Sequence, residues 1–381
     1  MKKVGLAVCY DTKNFGSQLQ VLATIKKVEE LGYKTEIIRY KKKLTPTFVL
    51  QTIPRLFNVS FIKAKIHSKN KSKQIEKYPD IAKDVLIRNN RFNEFVERYF
   101  TNLSRPYAGW ENLVRESAKH YDMFLCGSDQ LWLPNNLGSH FYTLEFAPDN
   151  KPKIAYATSF GVSQIPKRQK KTTAKYLNRF QWLSTRELAG QKIIQELTGK
   201  KASVVCDPTL LFDAKGWEQM IPKRKIIEEP YVFCYFLGTN EEHRKAANEF
   251  KKTGLKLVTC PFLDNFVEKD QQFGDIQMFD MDAADFVNII RHAEYILTDS
   301  FHGSVFSILH HKKFMTFNRF TAGVNSRNSR IDSLCTLLGL SERRFNGDVM
   351  DVEKSVDYLA VEEKLSKLRA DSIQYLEAAL K

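Results

Sequence analysis

The chain has 381 residues, a formal charge of +15 and an apolar content of 43 %, ordinary for a globular protein but too long for a single core, so two domains of roughly 150–200 residues are expected. Its six cysteines are scattered, with neither a CxxC pair nor a Cys/His cluster at zinc spacing, which reads as reduced core thiols in the cytosol and excludes a zinc or disulfide framework. No run of about 18 apolar residues occurs, so no membrane-spanning helix is expected, and the basic charge asks for an anionic partner: a phosphorylated small molecule, an anionic membrane surface or nucleic acid.

Residues 3–10 read as a buried first strand. They run into Asp11-Thr12-Lys13 rather than a small-residue cleavage site, so no signal peptide is expected. A polar loop over 11–17 leads to a helix over 18–31, with Leu19, Leu22, Val28 and Leu31 near helical spacing and Gly32 after its end. Residues 34–40 read as a second strand. Strand, loop, helix, strand is the opening of a doubly wound α/β domain.

A basic stretch interrupts that order. From residue 34 to 100 there are sixteen Lys or Arg against six Asp or Glu. Over 44–77 this charge is mixed with Phe48, Leu50, Ile53, Phe57, Phe61 and Ile66. Such a mix makes either a basic amphipathic helix for an anionic membrane surface or a helical insertion packed on its own domain. It carries no nucleic-acid motif, so nucleic acid is not an expected partner.

Helix over 88–99, strands over 122–126 and 153–158, a polar helix over 168–180, a short strand over 181–185, a helix over 188–198 and a strand over 203–206 complete the first series. Glu228-Glu229-Pro230 reads as a linker. A second series follows: strand 231–237, helix 241–253, strand 256–260 and helix 283–293. Residues 295–317 then read as strand, tight turn, helix and strand. Helices over 331–338 and 361–380 close the chain. The expected units are 1–226, carrying a basic helical insertion over about 41–100, then 227–355, then a last helix within 356–381 that packs back on the first unit.

His302 falls where a strand hands over to a helix. In an open α/β sheet that is where ligands bind, and free N–H groups at a helix start favour an anion. A titratable imidazole there is a candidate general acid, against a structural histidine in a βα turn. The chain has neither GxxxxGK[ST] nor GxGxxG after its first strand, so a nucleotide triphosphatase or dinucleotide enzyme is not expected.

Several loops, taken together, form a recognisable set: Asn14 to Gln20 after the first strand; Gly127-Ser128-Asp129-Gln130-Leu131-Trp132; Ser184-Thr185-Arg186-Glu187; Asp207-Pro208-Thr209-Leu210-Leu211; Thr298 to Gly303; and Asn325-Ser326-Arg327. In order and spacing this set resembles the polysaccharide pyruvyl transferase family over nearly the whole chain.

The resemblance implies a GT-B-like α/β fold, two Rossmann-like domains facing across a cleft. The acceptor side lies on the first domain, the donor and catalytic histidine on the second. It implies phosphoenolpyruvate as donor and co-substrate, with no cofactor and no metal. The partner is a saccharide acceptor, lipid-linked or free, in a cell-surface polysaccharide precursor. The place of work is the cytoplasm, at the inner face of the membrane. His302 matches the family's catalytic histidine and Arg186 its donor-binding arginine. Ser300, Phe301, Gly303, Asn325 and Arg327 fall on the donor side, and Asn14, Gln18, Asp129, Gln130 and Trp132 on the acceptor side, Trp132 as an aromatic sugar platform.

One departure stands out. Members of the best-studied type carry Arg-Leu-His, where this chain has Ser300-Phe301-His302. A donor-binding guanidinium is missing, and Arg319, Arg327, Arg330 or Lys312 would have to replace it, with Arg327 the first choice. Two other readings stay open: a GT-B-like glycosyltransferase using a nucleotide sugar, and a non-catalytic carbohydrate-binding or scaffold protein.

Overall fold

The computed structural model describes residues 1–43, 78–134, 140–263, 267–319 and 329–381. The basic stretch 44–77 lies outside them.

The first sheet is six-stranded, parallel throughout, in the order β2-β1-β5-β6-β7-β8. Its strands are β1 (Lys3–Ala7), β2 (Lys34–Ile37), β5 (Met123–Cys126), β6 (Lys153–Thr158), β7 (Trp182–Thr185) and β8 (Ser203–Val204). A small parallel pair, β3 (Tyr40–Lys41) and β4 (Tyr107–Ala108), sits beside it. The helices of this half are α1 (Phe15–Glu30), α2 (Pro79–Tyr99), α3 (Trp110–His120), α4 (Lys170–Leu177), α5 (Leu188–Thr198) and α6 (Ala214–Met220).

The second sheet is five-stranded and parallel, in the order β11-β10-β9-β12-β13. It comprises β9 (Tyr231–Tyr235), β10 (Lys256–Thr259), β11 (Ile276–Gln277), β12 (Tyr295–Thr298) and β13 (Lys313–Thr316). Its helices are α7 (Glu241–Asn248), α8 (Ala283–His292), α9 (Phe301–Leu309) and α10 (Ser329–Leu338), and α11 (Tyr358–Leu380) ends the chain. The strands read as near-continuous apolar runs because parallel sheets are covered on both faces.

Strand order reverses beside β1 in the first sheet and beside β9 in the second, the positions at which open α/β sheets bind ligands. α1 joins the two halves. Its Phe15 ring stacks on Phe92 of α2 at 4.9 Å and on Phe286 of α8 at 5.0 Å. α2 adds ion pairs across the same junction, from Arg91 to Asp285 at 2.9 Å and to Asp282 at 3.7 Å. Those two carboxylates also form the capping box that starts α8. One core runs through both halves, from Val4, Leu6 and Phe15 to Phe233, Phe286 and Phe306.

α11 crosses back to the first sheet. Arg369 donates to the Leu210 carbonyl at 2.8 Å, Ser372 Oγ accepts from the Cys206 amide at 2.9 Å, and Tyr375 donates to the Ala155 carbonyl at 3.0 Å. The architecture is therefore GT-B-like, two Rossmann-like halves meeting across a cleft with the last helix returned to the first half.

Some boundaries differ from the sequence reading. α1 starts three residues earlier than expected, because Asn14 caps it and accepts from the Ser17 amide at 3.1 Å. α2 starts at Pro79 rather than Arg88, with proline in its first turn where a missing N–H costs nothing. β8 stops at Val204 because the Cys206 amide turns to α11.

Candidate functional site

Several of the described site residues gather where the two halves meet. Ser300 caps α9, its Oγ accepting from the Gly303 amide at 3.3 Å, which leaves its O–H as a donor. Gly303 packs on Thr298, where a Cβ would come within 2.6 Å of Oγ1. Both residues build the turn; the side chains it presents are Phe301 and His302. His302 is 6 % exposed, its Nε2 lies 3.6 Å from Asp207 Oδ1, and that nitrogen has no hydrogen-bond partner. Its ring rests on Gly16 at the start of α1, where a Cβ would fall 1.9 Å from Nδ1. The histidine of one half is thus seated on the backbone of the other.

That contact makes a test. Gly16→Ala must displace the imidazole by more than an ångström. A misplacement of that size costs on the order of 100-fold in rate, with about 1–3 kcal/mol of overpacking. Turnover and a thermal melt on the same sample check both, and unchanged turnover removes the ring position from the account.

Arg186 follows β7, and its side chain is 1 % exposed. Nη1 donates to Asp207 Oδ2 at 2.5 Å and to Ser128 Oγ at 3.3 Å, and Nη2 donates to Asp129 Oδ1 at 3.2 Å. The guanidinium also lies over the Phe301 ring, 4.7 Å from its centroid. Burial would lower its pKa, but Asp207 and Asp129 hold it up.

Both acids are fixed by further donors. Asp207 accepts from Ser128 Oγ at 2.9 Å and from Thr209 Oγ1 at 2.7 Å. Asp129 accepts from Ser17 Oγ at 2.6 Å and from the Gln130 amide at 2.8 Å. Asp129 adopts φ of 75°, a left-handed conformation that aspartate tolerates better than most residues. Gly127 brings this loop against β6 so closely that a Cβ would meet the Tyr156 carbonyl oxygen at 1.8 Å.

Burial would raise both carboxyls. Arg186 and His302 outweigh it, holding Asp129 at about 2 and Asp207 well below the usual carboxylate range. Folded values below unfolded ones mean stability present above the unfolded value of about 3.9 and lost as pH falls toward about 2 and below. Thermal melts between pH 6 and about 2 are expected to show this decline, and Asp207→Asn to flatten it while lowering stability at neutral pH. An equally steep decline in the variant would assign it elsewhere.

The remaining acceptor-side expectations fare differently. Trp132 is fully buried among Phe160, Tyr176 and Phe180, and its Nε1 donates to the Tyr142 carbonyl at 3.1 Å. This corrects the sugar-platform expectation: the indole is a core group of the first half. Gln18 is also buried and donates to the Phe92 carbonyl at 3.0 Å, tying α1 to α2. Asn14 is the α1 cap. Gln130 packs against Gly161, its Nε2 buried without a partner. Asp129, 22 % exposed, stays in the cluster with Arg186. Asn325 and Arg327 lie outside the described residues.

The structure adds members to which the sequence had assigned no role. Ser17 holds Asp129, and Gln20 accepts from the Ser128 amide at 2.9 Å. Glu187 Oε1 accepts from Ser159 Oγ at 2.9 Å and from the Phe160 and Gly161 amides. The available signal was polar Ser17 and Gln20 on a helix otherwise set into apolar surroundings.

Fold and site together define a two-sheet α/β protein with a buried histidine, arginine and carboxylate cluster between the halves. The polysaccharide pyruvyl transferase family model matches residues 14–319, and the chain belongs to that family. It is accordingly a transferase of polysaccharide biosynthesis. No curated protein matches it. Among solved structures it is similar to Anabaena Alr3699/HepE in complex with UDP and glucose, at 9 % identity, 99 % coverage of each chain and a TM-score of 0.49. It is similar to UDP-GlcNAc 2-epimerase from Neisseria meningitidis bound to UDP-GlcNAc, at 9 % identity, covering 100 % of this chain and 94 % of that one, TM-score 0.48. The E. coli heptosyltransferase WaaC with ADP gives 10 % identity, 97 % and 100 % coverage and a TM-score of 0.41. Likenesses this distant carry no inference about chemistry here.

Proposed function

We propose that the chain transfers the enolpyruvyl group of phosphoenolpyruvate to a sugar of a cell-surface polysaccharide precursor and closes it to a pyruvate ketal. The observation that carries this reading is the buried His302, its Nε2 3.6 Å from Asp207 Oδ1, at the junction of the two halves where Arg186 also pairs with Asp207.

The donor is an enol whose oxygen carries phosphate and whose neighbouring carbon carries a carboxylate. His302 protonates its methylene carbon, leaving an oxocarbenium ion at the adjacent carbon. One sugar hydroxyl adds there and its proton returns to His302; the carbon–oxygen bond to phosphate breaks, and a second hydroxyl of the same sugar closes the ketal, its proton leaving with the phosphate. Arg186 supplies charge for the donor. Asp129, held ionised and partly exposed, accepts a hydrogen bond from the acceptor. This sequence uses no cofactor or metal.

No described helix is long and apolar enough to cross a membrane. Peripheral contact with an anionic inner membrane surface through the basic stretch 44–77 is part of the proposal, for a lipid-linked acceptor.

The test is phosphate release from phosphoenolpyruvate by purified protein with a panel of oligosaccharide acceptors. Acceptor-dependent release supports the reading. Transfer from a nucleotide sugar, with none from phosphoenolpyruvate, replaces it with the glycosyltransferase reading.

A further inference from the structure

We propose that Arg330 is a donor-binding residue that, with Arg186, brackets one anionic group of the donor across the junction of the two halves. The inference rests on the donor class proposed above and deepens it.

Arg330 is the second residue of α10 and is 8 % exposed. Among the described residues it has no ion pair, and its Nε has no hydrogen-bond partner. Its guanidinium carbon lies 5.8 Å from the Phe301 ring centroid, and that of Arg186 lies 4.7 Å from the same centroid. Arg186 comes from the first sheet and Arg330 from beyond the second, so one aromatic ring carries two buried cations from opposite halves.

The nearby carboxylates hydrogen-bond to other donors, although Asp129 and Glu187, whose Oε2 is buried without a hydrogen-bond partner, attract Arg330 from a distance. Asp207 holds Arg186, Ser128 and Thr209, Asp129 holds Arg186 and Ser17, and Glu187 Oε1 holds three donors. Burial and the adjacent Arg186 lower the Arg330 pKa to about 9, so it keeps its charge at neutral pH.

A buried charge with no ion pair costs the fold free energy, which the Phe301 ring and the more distant Asp129 and Glu187 offset only in part. Stability alone therefore gives no reason for an arginine here, whereas a bound carboxylate or phosphate does, through the planar donor fork. The start of α10 adds partial positive charge at the same place.

The other described substitutes for the missing guanidinium are occupied. Arg319 lies 3.4 Å from Asp299 Oδ1 and donates to the Asp299 carbonyl at 2.9 Å, and Lys312 donates to the Ala293 carbonyl at 3.0 Å. Ser300 offers a hydroxyl and no charge. Because the two arginines repel, an anion between them also draws the halves together.

The experiment is calorimetric titration of phosphoenolpyruvate, and separately of inorganic phosphate, into full-length wild type, Arg330→Met and Arg330→Lys, with thermal melts with and without each anion. Arg330→Met is expected to weaken phosphoenolpyruvate by about 10- to 100-fold, with Arg330→Lys between it and wild type. Without ligand, the methionine variant is expected to melt as high as wild type or higher, and to lose the rise in melting temperature that the anion gives. An arginine with a merely structural role would move the other way, lowering the unliganded melt and leaving affinity unchanged, and that result overturns the proposal. Wild type that binds neither anion overturns it as well. Arg330-dependent binding of phosphate, with no acceptor-dependent turnover of phosphoenolpyruvate, leaves the bracket standing and removes the donor.

Discussion

His302→Asn is expected to reduce transfer by about 100- to 10,000-fold, the range a positioned general acid contributes, while donor affinity changes little. Nε2 makes no hydrogen bond that the fold would lose. The ring rests on Gly16 and is boxed in by Phe301, so a smaller planar amide leaves a modest gap rather than an orphaned charge. Stability should fall by no more than about 1–2 kcal/mol. Turnover, donor titration and a melt on one preparation separate these effects. If turnover survives intact, His302 is not the acid and Asp207 is not poised beside one.

Arg186→Met is expected to fail for two reasons at once. It removes the guanidinium over Phe301, and it leaves Asp207 and Asp129 without their shared cation. Breaking a buried ion pair by removing one partner costs about 3–5 kcal/mol, enough to consume much of an ordinary fold's stability. Arg186→Lys keeps a charge, but one ammonium cannot span two carboxylates and face a ring at once. It should recover part of the stability and little of the donor binding. Denaturant unfolding and donor calorimetry distinguish the two losses. Full donor affinity in a folded Arg186→Lys protein would show that the arginine serves the fold alone.

How far the sequence reached follows from where each signal lies. The two parallel sheets were legible because buried parallel strands write themselves as short apolar runs between loops. His302 and Arg186 stood out in the sequence because both follow a strand end, the position where α/β sheets place ligands, and the structure brings both to Asp207. Helix α3 was missed: only Leu113 and Ser117 of its residues are buried, too thin an apolar face to register. Trp132 was misplaced because an aromatic in a polar loop looks the same whether it turns outward or inward, and here Phe160, Tyr176 and Phe180 draw it in. Ser300 and Asn14 were read as ligand contacts; the structure gives each a further role, as the acceptor that caps a helix start.

Asp207 shows the limit most clearly. Its chemistry depends on Arg186, twenty-one residues earlier, and on His302, far along the chain. Only the folded meeting of β7, β8 and α9 reveals that one carboxylate serves both. Arg330 was visible as one cation among several; its burial without an acid partner is what sets it apart.

The most direct measurement is transfer run in heavy water with phosphoenolpyruvate and an accepting saccharide, followed by analysis of the product methyl group. Protonation of the donor methylene from an exchangeable acid predicts a ketal methyl carrying one deuterium, formed by wild type and not by His302→Asn. An acceptor left unchanged by phosphoenolpyruvate but glycosylated from a nucleotide sugar, or a product that keeps the unprotonated enol methylene, would contradict it.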